Sequence, residues 1–187
     1  MRPTLMITLL VLASLIPPRA DAGESPQYVG VYRCKSCHNR KDDTKQYDIW
    51  AASQHAQAYH TLGTDRARDL AAEVGVDVNP QEAPECLECH VTGYGVDSTS
   101  FLESFAHEDG VQCEACHGPG SRYKATKIMS RKKYKEDPDT QRQLALDAGL
   151  LIPDEQTCVR CHNEGSPAFK SFDYETYYEK IRHDAQP

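Results

Sequence analysis

The amino-acid sequence predicts a mainly α-helical, loop-rich fold with little or no β-sheet, wrapped around something other than its own side chains. Three observations lead there. Helical apolar periodicity alternates with turn-rich linkers, and no convincing strand pattern interrupts it. Large apolar residues are scarce, because the 165 residues after position 22 hold only 25 Leu, Ile, Val and Phe. That is about 15%, and a share under about 20% with marked net charge ordinarily belongs to disordered chains. Finally, all eight cysteines fall into four identical five-residue words.

Taken in chain order, residues 1–22 read as a secretory signal and not as structure. Arg2 supplies the positive end, residues 5–16 form an apolar run short for a bilayer, and Ala20-Asp21-Ala22 is an A-x-A cleavage site. One domain, 23–187, is expected to follow. Without a Cys at that junction no lipid anchor is expected, and no later segment has the length or apolarity of a membrane span. Four helices are expected, over 41–62, over 64–74 with Thr64 as N-cap, over 139–150 ahead of Pro153, and over 172–183. Gly93-Tyr94-Gly95 and Gly118-Pro119-Gly120 read as turns.

The words are Cys34-Lys-Ser-Cys37-His38, Cys86-Leu-Glu-Cys89-His90, Cys113-Glu-Ala-Cys116-His117 and Cys158-Val-Arg-Cys161-His162. Each is the C-x-x-C-H attachment site of a c-type haem. Two thiols add to the two vinyl groups of one porphyrin, and the adjacent imidazole reaches the iron from the same short segment. With eight His in 187 residues, His after the second Cys in all four words has a chance probability on the order of 3 in a million. Disulfides explain none of those histidines, and a zinc site from Cys34, Cys37, His55 and His60 would leave His38 and the repeat unexplained. Four covalently attached haems c are therefore expected. Their flat apolar rings supply the missing core. Haem attachment is completed outside the cytoplasm, which agrees with the signal and makes the periplasm the expected compartment in a Gram-negative source.

Four histidines remain for the irons' other faces: His55, His60, His107 and His183. Their number equals the number of words. Met129 is the one methionine after the signal, so at most one haem can have the Met/His ligation that raises potential, and low-potential bis-His haems are expected. His55 and His60, five residues apart, stand about 140° apart around a helix and should face different partners.

The charge balance limits the partners. Without the signal the chain has 19 basic and 27 acidic residues, which disfavours nucleic acid. Residues 122–135 depart from this background with seven basic residues and no acidic one. They read as a solvated segment or one that neutralises haem propionates, with a docking patch for an acidic redox partner as the alternative. Tyr174, Tyr177 and Tyr178 are expected to pack on haem edges.

Several blocks resemble the tetrahaem cytochrome c-554 family, electron carriers of ammonia oxidation. They are Trp50-Ala-Ala-Ser-Gln-His55-Ala56, Cys86 through Gly95, Gly110 through Gly120, and Phe172-Asp173 leading to His183. The resemblance implies that His55 is the distal ligand of the fourth haem and His183 that of the third. It also implies a five-coordinate second haem and haems stacked in close pairs. The family's distal histidine for the first haem aligns with Lys127, so His107, then His60, then Met129, are the substitutes. The family's ammonia-oxidiser protein is basic and this chain is acidic, so the same donor is not implied.

The leading functional expectation is an electron carrier or relay between a protein donor and a protein acceptor. A haem enzyme acting on a small nitrogen oxide or hydroxylamine at a five-coordinate iron is the second reading. The third is a polymeric filament whose subunits lend each other a distal histidine, so self-association belongs to that reading. No hydrolytic triad, nucleotide loop or flavin motif accompanies the words.

Overall fold

The computed structural model describes residues 25–40 and 45–183. The proposed signal, residues 41–44 and the last four residues lie outside them. The described chain contains ten short α-helices, three single 3-10 turns and one isolated parallel bridge, Tyr28 to Phe101, with no strand or sheet. The expected helical, loop-rich architecture is what forms.

Each word sits on or at the end of a helix: α1 (Val31–His38), α5 (Pro84–His90), α6 (Cys113–His117) and α9 (Glu155–Val159). The spacing accounts for this, since positions i, i+3 and i+4 of a helix share one face. Both thiols and the imidazole of a word thus point to one side. Ala83-Pro84 starts α5 with proline in the first turn, where its missing N–H costs nothing. Asp154 caps α9 by accepting from the Thr157 amide in a capping box.

Between the words, the helix expected over 64–74 appears as α4 (Asp65–Glu73), with the Thr64 hydroxyl accepting from the Ala67 amide. The continuous helix expected over 41–62 does not form across its described part. Instead α2 (Gln46–Ala51), a 3-10 turn (His55–Gln57) and α3 (Ala58–Thr61) follow one another. Tertiary hydrogen bonds explain the break. The Trp50 indole donates to the Val111 carbonyl at 2.8 Å, and the Val111 amide donates to the His55 carbonyl at 3.0 Å. Gly110 permits that approach: its φ is +71°, and a Cβ there would stand 2.7 Å from the His55 oxygen.

Toward the C-terminus, α7 (Arg131–Glu136) is followed directly by α8 (Pro138–Asp147). The latter ends short of the expected residue 150, because Gly149 turns at φ +98° and the Leu150 amide reaches back to the Ala145 carbonyl. The last helix is also shorter than expected, α10 (Tyr174–Tyr178). Beyond it the His183 ring folds back onto the Ile181 carbonyl at 2.7 Å.

Side chains alone make a thin core. The buried apolar residues among those described are Val29, Val31, Ala56, Leu62, Ala71, Ala83, Val91, Tyr123 and Ala145, so four of nine are alanine. Polar side chains share the interior and hold loops that no sheet pairs. The Glu114 carboxylate accepts from the Val29, Gly30 and Gly120 amides at 2.6–3.0 Å. The Gln112 amide oxygen accepts from Val31 N and its NH2 donates to the Ala106 carbonyl. Buried backbone donors need such partners.

Candidate functional site

The four words form one connected group. The Cys34 and Cys113 side chains lie beside each other, which brings α1 next to α6. The Cys89 and Cys161 side chains lie beside each other, which brings α5 next to α9. Between these pairs the Arg160 guanidinium donates to the Ala115 carbonyl at 2.9 Å, and Cys116 lies within electrostatic reach of Cys158. The order of neighbours is therefore first, third, fourth, second. None of the eight cysteines is paired in a disulfide. The neighbouring Cys113 and burial hold Cys34 protonated; burial, with Cys161 beside it, pushes Cys89 up to about 12, and burial with Cys158 nearby pushes Cys116 to about 11.

The histidines arrange themselves around this group unequally. The His55 and His162 rings stand 6.0 Å apart between centroids, inclined at 68°, and the His117 and His183 rings 5.9 Å apart at 74°. Two imidazoles sharing one metal ion, each about 2 Å from it, place their ring centres roughly 6 Å apart. Two sets of residues therefore fit an iron held from both sides. In each, one ring comes from a word and one from a histidine outside the words.

Ring orientation supports the same fit. His117 Nδ1 lies 3.1 Å from the Leu151 carbonyl, His183 Nδ1 2.7 Å from that of Ile181, and His90 Nδ1 2.7 Å from that of Ala58. A carbonyl only accepts, so each Nδ1 carries the proton and each Nε2 keeps its lone pair for a metal. Burial holds His55, His117 and His162 below the ordinary histidine value, and the neighbouring rings His162 and His183 push His55 and His117 the same way. Neutral imidazole is the form that binds iron.

His60 and His107 stand elsewhere. His60 is exposed on α3, edge-on to Tyr59 at 5.9 Å, and its charge opposes the rise that burial and Glu108 cause in Asp109. His107 is exposed in the 3-10 turn His107–Asp109 and lies edge-on to Phe101 and Phe105, each at 5.0 Å. No ring contact joins either of them to His38 or His90 among the described residues. His38 lies near enough to His117 to depress it electrostatically.

Residues 33–118 match the family model described as cytochrome c554 and c-prime. The match takes in the first three words and stops before the fourth. Cytochrome c-554 of Nitrosomonas europaea is 28% identical over 162 residues, 83% of this chain and 66% of that relative. Over these residues the chain is similar to the cytochrome c-554 family. That similarity points to covalently bound haem c, which is the group the paired imidazoles and Cys-x-x-Cys helices fit. The chain spans just under two thirds of the relative's length. No solved structure matches it.

The aromatic side chains near the fourth word include the tyrosines singled out in the sequence, whereas the roles of Phe172, Glu114 and Gln112 were not legible there. Phe172 stacks on His162 with centroids 4.8 Å apart and planes 16° apart, and Tyr177 lies 6.3 Å from the same ring. Tyr174 and Tyr178 stack on each other at 5.3 Å. Glu114 and Gln112 hold the first word to the third through backbone amides. Nothing in an acidic chain marks one glutamate as buried, and the carbonyls of Leu151, Ile181 and Ala58 are invisible to any side-chain pattern.

Proposed function

We propose that the chain is a tetrahaem electron carrier, exported by its N-terminal signal to the periplasm, where it passes electrons between protein partners. The observation that carries this reading is the pairing of His55 with His162 and of His117 with His183, each at the spacing of two imidazoles on one metal. A haem c, when bound, supplies a one-electron iron couple whose potential is kept low by two histidine ligands. The residues do the rest: Cys34 lies beside Cys113, Cys116 near Cys158, and Cys89 beside Cys161, so groups attached to them are neighbours. Two imidazoles on one iron leave no position for a substrate, which favours electron transfer over chemistry at the third and fourth words. None of the helices in the described residues is long and apolar enough to cross a membrane.

His38 and His90 favour the second reading in one respect. No imidazole faces either ring among the described residues, so a small nitrogen oxide could reach an iron held there. Haem stoichiometry and a redox titration test the proposal together. Four haems per chain by mass and pyridine haemochrome, all reversibly reducible, are expected. Three or fewer haems would remove one of the words from the reading, and steady turnover of hydroxylamine or nitric oxide would move the function to the enzyme class. N-terminal sequencing of the exported protein should begin near Gly23.

A further inference from the structure

The basic stretch 122–135 belongs to a hairpin whose two ends both rest on the third word. At its start the buried Tyr123 hydroxyl donates to the Gly118 carbonyl at 2.8 Å, and the Lys124 amide donates to that of Gly120 at 3.0 Å. At its end the Leu151 amide donates to the His117 carbonyl at 2.9 Å, and His117 Nδ1 donates to the Leu151 carbonyl. Between them buried Gln141 on α8 donates to the carbonyls of Lys127 and Ile128 at 3.2 and 2.8 Å, and the Ser130 hydroxyl caps α7. The backbone under the charges is therefore fixed relative to His117.

The charges themselves face water. Lys124, Lys127, Lys132, Lys133 and Lys135 are all exposed, as are Arg122 and Arg131. The Lys132 side chain is 84% exposed and meets Glu136 at 3.8 Å, a surface pair of little strength that a partner can displace. Side chains so placed are poorly suited to neutralising a group inside the fold. With seven positive charges in 122–135, the rest of the chain after the signal carries a net −15. A charge asymmetry of this size orients an incoming charged protein before contact.

We propose that the basic face 122–135 docks an acidic one-electron redox protein, which exchanges its electron at the third word. The proposal rests on the electron-carrier reading. One electron leaves the partner, which is oxidised, and one ferric iron becomes ferrous; no bond forms and no proton moves.

Reduced plant-type ferredoxin, an acidic low-potential protein, is a suitable probe. Its second-order rate with the holoprotein would be followed from about 0.01 M to about 0.15 M salt, as the Debye length falls from about 30 to about 8 Å. Two acidic proteins that meet at random repel, so their rate rises with salt, whereas docking on the basic face makes it fall. The triple variant K132E/K133E/K135E, remote in sequence from every word, should keep its haem content and spectrum, lose about tenfold in rate at low salt, and reverse the salt trend. K45E/K170E/K180E, the same charge change elsewhere, should do neither. Calorimetric titration with both proteins oxidised reads binding without electron transfer, and should lose its signal in the first triple variant alone. A wild-type rate that rises with salt, or equal losses in both variants, would overturn the docking face. Binding to phosphatidylglycerol vesicles without binding to ferredoxin would overturn it too, by assigning the face to a lipid surface. Salt-sensitive binding without electron transfer at any ionic strength would instead remove the carrier reading and leave the docking face standing.

Discussion

The third and fourth words differ from the first and second in what faces their histidines. His117 and His162 each meet a second imidazole about 6 Å away, delivered by segments remote in sequence, while His38 and His90 meet none among the described residues. All four words have the same local chemistry, because a helix turn places two thiols and an imidazole on one side wherever the motif occurs. The difference lies in what the rest of the chain brings to the other side. His55 arrives because the break after α2 ties its carbonyl to Val111. His183 arrives because the chain beyond α10 turns its ring over the Ile181 carbonyl. Identical motifs can therefore hold unequal cofactor sites.

The largest expected effect separates the two classes directly. His183→Ala and His55→Ala should each convert one haem in four from low to high spin, seen by electron paramagnetic resonance and near-infrared magnetic circular dichroism. His60→Ala and His107→Ala should leave every spin state unchanged. A spin change in either of the latter would close one of the open words with that histidine and erase part of the comparison.

A smaller effect concerns access. Carbon monoxide added to the reduced protein should react with one or two haems of the four, those on the first and second words, and His60→Ala and His107→Ala should not raise that fraction. An unreactive protein would mean that all four irons are six-coordinate. The comparison would then be between kinds of ligand and not between open and closed faces.

The first word can also be loosened without touching its histidine. Glu114→Ala leaves the buried amides of Val29, Gly30 and Gly120 without a shared acceptor, and should cost about 3 kcal/mol in chemical denaturation. Changes in the spectrum should be confined to the first and third words, since Glu114 joins α1 to α6. Equal disturbance of the second and fourth would mean that the four words move as one body.

The smallest effect lies at the N-cap of α10. Hydrogen bonding from the Thr176 side chain, and then from the Thr176 amide that Asp173 caps, holds the Asp173 carboxyl below the ordinary carboxylate value. A group whose folded pKa is depressed contributes stability above its unfolded pKa and loses it as pH falls through the folded one. Acidification below the usual carboxylate range should therefore slightly raise the high-spin fraction at the third word, through a loosened His183. Asp173→Ala should show that rise already at neutral pH, while Asp173→Asn, which can still cap, should not.

Local chemistry alone determined the class of this protein. The words state their cofactor outright, because covalent attachment and iron ligation need those residue types at that spacing. The shortage of large apolar residues says that a cofactor must fill the core, and Thr64 marks the start of α4 because a hydroxyl there completes the first turn. The helix expected over 41–62 was misplaced for the opposite reason: its periodicity is local, while the bonds that break it come from Val111, some sixty residues away. Which histidine meets which word, the adjacency of first to third and of second to fourth, and the fixing of the basic hairpin on His117 were decided by tertiary structure. Each depends on backbone carbonyls and amides, such as those of Leu151, Ile181 and Gly118, that every residue carries alike, so no pattern of side chains announces which of them will be used.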